Sequence, residues 1–137
     1  MLETKNLYWL AGILEGEGTF SVKQSLSGKF TPRITIEMSD LDVIDKVKLL
    51  MSPATLVRTR KRGESTYKIM YSFSVYGITA IEWMMTLYAL MSIRRKAKIS
   101  EIIGIWKMMP KQNRERGGIR RINTKLRNVL GEIRLVS

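Results

Sequence analysis

The period of the hydrophobic pattern changes abruptly at Gly18, and this change constrains the fold more than any other feature of the chain. Before it, from Asn6 to Glu15, Leu7, Leu10, Ala11 and Leu14 recur at helical spacing, with Asn6 placed to cap the helix and Gly16 and Gly18 to end it. After it, from Thr19 to Ser27, Phe20, Val22 and Leu26 alternate with Ser21, Lys23, Ser25 and Ser27, as in a strand buried on one side. A Ser-Gly-Lys turn leads to Phe30–Ser39, where Ile34, Ile36 and Met38 alternate with Arg33, Thr35 and Glu37. The two strands read as a hairpin.

A second helix and strand pair follow. Asp40 to Met51 has Leu41, Ile44, Val47 and Leu50 or Met51 on one helical face, and Pro53 stops it. Thr55 to Arg62 is a strand rich in arginine, and Thr66 to Tyr76 sets Ile69, Tyr71, Phe73 and Val75 on one side. Ile78 to Leu90 and Ser92 to Met109 are then helical, with Trp83, Met84, Met85, Leu87, Met91 and Trp106 expected in the core. A basic tail follows Pro110, and Ile119–Leu135 allows a last helix. These patterns fit a single α+β domain over residues 1–137, with its core in about 1–110 and a basic extension over 111–137. One four-stranded antiparallel sheet packed under helices satisfies all of them.

The other face of such a sheet is left open, and it is basic. The chain carries 24 Lys and Arg against 12 Asp and Glu, a formal charge of +12. Such an excess repels itself in a compact state, and a polyanionic partner is the usual reason for it. Lys23, Ser25, Arg33, Thr35, Arg58, Arg60, Arg62 and Lys68 are candidate DNA contacts on the sheet, with Arg120 and Arg121 as phosphate contacts from the tail. Cysteine and histidine are both absent. That excludes thiolate sites, serine–histidine triads and imidazole bases, so any hydrolysis must run on carboxylates, lysines, water and metal. No apolar stretch is long enough to span a bilayer and the N-terminus lacks a signal-peptide layout, so an intracellular location is expected, cytoplasmic or nucleoid, or organellar in a eukaryotic host.

Within Tyr8–Phe20, the core Leu10-Ala11-Gly12-Ile13-Leu14-Glu15-Gly16-Glu17-Gly18 resembles the motif that names the LAGLIDADG homing endonucleases. The order of elements, αββαββ followed by helices, resembles that family's single-motif unit. The resemblance implies an αββαββα LAGLIDADG fold and a homodimeric, intron-encoded enzyme. Such an enzyme cuts both strands of a long, near-palindromic DNA site with Mg²⁺; Mn²⁺ would substitute, and Ca²⁺ would bind without supporting cleavage. It also implies that Glu17 is the metal ligand, assisted by the Gly16 carbonyl, and that Glu15 is more structural. Glu37 sits where the family often places a polar residue holding active-site water. Ser92–Lys98 resembles the basic segment from which Arg94 and Lys96 would reach the catalytic centre. An RNA maturase acting on the host intron, and a DNA-binding protein without cleavage, are the alternatives.

The motif can also be read from its chemistry. Gly12 and Gly16 share one helix face, where missing side chains let a second backbone approach. With Leu10 and Ile13 they are the candidate dimer interface, and about a twofold axis Glu17 would approach its own copy. Facing carboxylates repel, and hard oxygen donors there suit Mg²⁺. A carboxylate at a helix C-terminus opposes the macrodipole, which argues against a merely structural role.

Overall fold

In a computed structural model, residues 2–61 and 69–109 are described. The order is α1 (Thr4–Glu17), β1 (Gly18–Gln24), β2 (Phe30–Met38), α2 (Leu41–Met51), β3 (Arg58–Lys61), β4 (Ile69–Tyr76), α3 (Gly77–Leu87), a short 3₁₀ turn at Tyr88–Leu90, and α4 (Ile93–Met108). The four strands form one antiparallel sheet in the order β1-β2-β4-β3. The expected α+β architecture is therefore the observed one.

Register and alternation give each residue its side of the sheet. Phe20 pairs with Ile34, and Ile34 with Val75, while Ile36 lies between Gly18 and Phe73. These apolar residues are buried with Leu10 and Leu14 of α1, Ile44 and Val47 of α2, Ala80, Met84 and Leu87 of α3, and Ile99 and Ile102 of α4. The helices thus cover one face. On the other, Ser21 pairs with Arg33 and Arg33 with Tyr76, Thr35 with Ser74, Glu37 with Ser72, Ser72 with Arg58, and Met70 with Arg60.

Several boundaries and burials differ from the sequence reading. Helix α1 begins a turn before Asn6, because the Glu3 carbonyl accepts from the Asn6 and Leu7 N–H groups, both at 3.0 Å. Thr4 and Lys5, its first two residues, are exposed and polar and carry no apolar period to reveal it. Gly16 does not end the helix; the chain turns extended at Gly18, whose N–H donates to the Leu14 carbonyl. A Cβ at Gly18 would lie 2.6 Å from the Leu14 carbonyl oxygen, so this close approach of strand to helix needs glycine.

Leu26 is fully exposed rather than inward, since β1 ends at Gln24 and residues 25–29 form a turn closed by Ser25 N–H to Lys29 O at 3.0 Å. Gly28 takes φ 80° in that turn. Thr55 lies in a turn from Ser52 rather than in β3, its N–H donating to the Ser52 carbonyl. Leu41 and Met85 point outward at 40% and 61% exposure, while Met84, Leu87, Met91 and Trp106 are core as expected. Trp83 is half-buried and donates its indole N–H to the Met51 carbonyl at 3.1 Å, tying α3 to the end of α2. Arg62, Lys68, Arg120, Arg121 and the helix expected over 119–135 lie outside the described residues.

Candidate nucleic-acid interface and active site

The open face of the sheet carries, among the described residues, the cations Lys23, Arg33, Arg58 and Arg60 and the carboxylate of Glu37. Lys23, Arg58 and Arg60 are exposed; Arg33 is partly buried. Ser25 lies past the strand, in the turn, where its hydroxyl accepts from the Lys29 N–H and pairs with Ser27. Thr35 and Ser74 share a hydroxyl hydrogen bond of 2.8 Å, and Arg33 Nε donates to Ser21 Oγ at 3.2 Å.

Glu37 meets Arg60 across β4. Arg60 Nη2 donates to Glu37 Oε1 at 2.7 Å. The two residues lie on β2 and β3, which are separated by β4, so the contact spans two inter-strand gaps, about 10 Å. On the intervening β4, Ser72 lies opposite Glu37 and Met70 opposite Arg60. The sequence places Glu37 on the open face but gives no sign of a partner 23 residues away.

At one end of the sheet, β1 begins where α1 stops. Glu17 is exposed and makes no hydrogen bond or ion pair with any described residue. Gly16 is also exposed, and as one of the last residues of α1 its carbonyl has no acceptor role inside the helix. A Cβ added at Gly12 or Gly16 would meet nothing within 4 Å, so one strip of α1 faces open space. Tyr8, 59% exposed and one turn before Gly12, extends that strip, while Trp9 lies against the core with Lys46 Nζ 4.1 Å above its ring. Leu10 cannot belong to the strip. It is 0% exposed and packed in the core of its own domain, while Ile13 is half-buried at the margin of that core.

Glu15 is fixed from the other side. Its carboxylate accepts from the Ser92 N–H at 2.6 Å and the Ser92 hydroxyl at 3.0 Å, and Arg95 Nε lies 3.5 Å away. Arg95 Nη2 donates to the Glu15 carbonyl at 3.0 Å. The Ser92 backbone N–H above all, then the Ser92 hydroxyl and the Arg95 charge, hold Glu15 below its usual carboxylate range against the opposing effect of burial. Ser92 also caps α4 by accepting from the Arg95 N–H. The motif helix is thereby locked to the start of α4, the structural role expected for Glu15.

That lock sets the azimuth of α4. Arg94, Ala97, Lys98 and Glu101 share a face at helical spacing and, with Gly18 and Thr19, line an open concavity beside the end of α1. Lys96 is not among them. It sits nearly opposite on the helix, its ammonium 5.7 Å from the centre of the Tyr88 ring. Of the expected pair, Arg94 lines the concavity and Lys96 does not, while Lys98, four residues after Arg94, lines it too. Lys98 lies 3.6 Å from Glu101.

Among the described residues no three acidic side chains are grouped as a metal cluster. Each chain offers Glu17 and the Gly16 carbonyl, hard oxygen donors of the kind Mg²⁺ prefers, but too few to enclose it alone. The donor set fits a cation only where a second carboxylate and phosphate oxygens complete it.

No protein-family model matches the chain, and no curated protein matches it significantly. The group I intron-encoded homing endonuclease I-CeuI, complexed with DNA, is similar over 96% of this chain and 64% of its own, with a TM-score of 0.53 and 14% identity. This is the LAGLIDADG homing-endonuclease fold. The LAGLIDADG meganuclease I-AabMI bound to uncleaved DNA is also similar, over 96% of this chain and 50% of its own, with a TM-score of 0.47 and 12% identity. The chain spans less than two thirds of the length of either. At such identities the common property is the fold. In the LAGLIDADG fold of this chain, the motif occupies the second half of α1 and the first residue of β1.

Proposed function

We propose that the chain is a site-specific double-strand DNA endonuclease that acts as a homodimer with divalent metal ions. The observation that carries this reading is the placement of Glu17. Among the described residues it is an exposed carboxylate without a partner, at the end of a helix whose neighbouring glycine strip is open, and at one end of a basic sheet face that no described helix covers.

The residues divide the work. Lys23, Arg58 and Arg60 neutralise phosphates or approach base edges along the groove, and Thr35 offers a hydroxyl. The strip Tyr8, Gly12 and Gly16 meets its symmetry mate and brings two copies of Glu17 together. Arg94 and Lys98 stand beside that point, where they stabilise charge on a phosphate and on the oxygen that leaves it. Mg²⁺ held by Glu17 and the Gly16 carbonyl would supply a nucleophilic water at neutral pH and charge neutralisation, chemistry that no histidine is present to replace. Twofold symmetry makes the target near-palindromic, and an origin in a mobile intron fits the same reading.

Glu17→Gln tests it. The variant keeps the shape of the side chain and lacks the charge, so it should fold, dimerise and shift DNA in Ca²⁺ while cleaving no site from a random duplex library in Mg²⁺. Cleavage by Glu17→Gln near the wild-type rate would remove Glu17 from the mechanism. A wild-type chain that binds RNA and never cuts DNA would replace the reading with that of a maturase.

A further inference from the structure

We propose that Arg33 reads a guanine, and that Ser21 prepares it to do so. The inference rests on the reading of the open sheet face as a DNA-binding surface and names what one position of that surface recognises.

The three arginines described on this face are in different states. Arg58 is exposed on the edge strand β3 and has no partner among the described residues, so its guanidinium is oriented only on contact. Arg60 has a terminal nitrogen on Glu37 at 2.7 Å, and its charge is offset there. Arg33 rises from β2, an inner strand, between Ser21 on one side and Tyr76 on the other. Its Nε donates to Ser21 Oγ at 3.2 Å, and among the described residues no carboxylate pairs with it.

The use of Nε decides what remains. A guanidinium holds five N–H donors in one plane, and with the inner one fixed the other four lie on the two terminal nitrogens. Those nitrogens form a pair of parallel donors. In the major groove guanine alone presents two acceptors side by side, O6 and N7. Adenine pairs an acceptor with a donor, thymine offers one acceptor beside a methyl group, and cytosine offers a donor. The Ser21 bond also fixes the side chain before DNA arrives, so less rotamer freedom is lost on contact than at Arg58.

Position follows from the strand. Arg33 lies four residues along β2 from Glu37, about 13 Å. Glu37 adjoins Ile36, the partner of Gly18, which follows Glu17. At about 3.4 Å per base pair, the guanine falls roughly four base pairs outward from the phosphates that meet Glu17.

The test is selection of bound duplexes by gel shift in Ca²⁺ at fixed salt, using the full chain as wild type, Arg33→Lys and Ser21→Ala, each checked for folding by its melting curve. Lysine keeps the charge and the stem but has no fork. The wild type should enrich one guanine per half-site at that distance. Arg33→Lys should lower this preference about 5- to 150-fold while leaving other positions and the salt slope unchanged. Ser21→Ala should lower it by a smaller factor at the same position only. The proposal is overturned if Arg33→Lys keeps the guanine, or weakens every position alike. A wild type that selects the guanine but cuts nothing removes the nuclease reading and supports this one. A chain that selects no sequence removes both.

Discussion

Replacing Glu15 by alanine should lower the stability of the domain by about 2–3 kcal/mol, a large part of the 5–15 kcal/mol typical of such domains. Two hydrogen bonds to the carboxylate vanish, at 2.6 and 3.0 Å, and each bond of this type to a charged group contributes about 1.5–3 kcal/mol. The lower end applies, because Glu15 retains 33% of its side-chain exposure and water can replace it at Ser92. Arg95, at 12%, has less access to water and loses its nearby carboxylate, though its bond to the Glu15 carbonyl remains. Glu15→Gln keeps one accepting oxygen and should lose about 1 kcal/mol.

The pH dependence gives an independent check. The folded state holds the pKa of Glu15 below its ordinary 4.5, so the unfolded chain binds the proton more readily. The stabilisation is therefore complete above about 4.5 and disappears as pH falls through the lower folded value. Urea unfolding of wild type and Glu15→Gln at pH 7, 5 and 3 should give a difference that is constant between the first two and shrinks at the third. Equal stabilities at pH 7, or a difference that persists undiminished in acid, would refute the lock between α1 and α4.

Gly18→Ala should cost about 1–3 kcal/mol in the same assay, since its methyl would be built 2.6 Å from a backbone oxygen that cannot yield without moving the end of α1. Cleavage should fall with it, because Glu17 adjoins that point. Gly12→Val should behave in the opposite way. Nothing lies within 4 Å of the added Cβ, and valine is a few tenths of a kcal/mol better than glycine in a helix, so the variant should melt no lower than wild type at protein concentrations low enough for wild type to be monomeric. Sedimentation should nevertheless find it monomeric, and a dimer would rule out the glycine strip as the interface.

What the sequence revealed depended on how local its causes were. The faces of all four strands follow from alternation, and the ends of α2 and β4 from Pro53 and Gly77, since neighbouring residues determine both. Leu10 was misassigned because periodicity marks a buried stripe without saying whether its own domain or a partner buries it. Met85 and Leu41 are apolar residues on exposed positions, which single-residue hydropathy cannot distinguish from core. In the basic run after Ser92 the azimuth of α4 was missing, and the contact with Glu15, 77 residues away, supplies it. Once that is known, Lys98 falls beside Arg94 on the concavity and Lys96 lies against Tyr88.

The bridge from Arg60 to Glu37 crosses β4, where Ser72 lies opposite Glu37, and so links three positions on three strands into one unit of variation. A bulkier residue at 72 would push the arginine off its path, and a neutral one at 37 would release a cation onto the face. Substitutions there should be strongly non-additive, unlike those at well-separated sites. A library that alters the sheet face one residue at a time would score each of the three as intolerant. Randomising 37, 60 and 72 together opens combinations that single steps cannot reach.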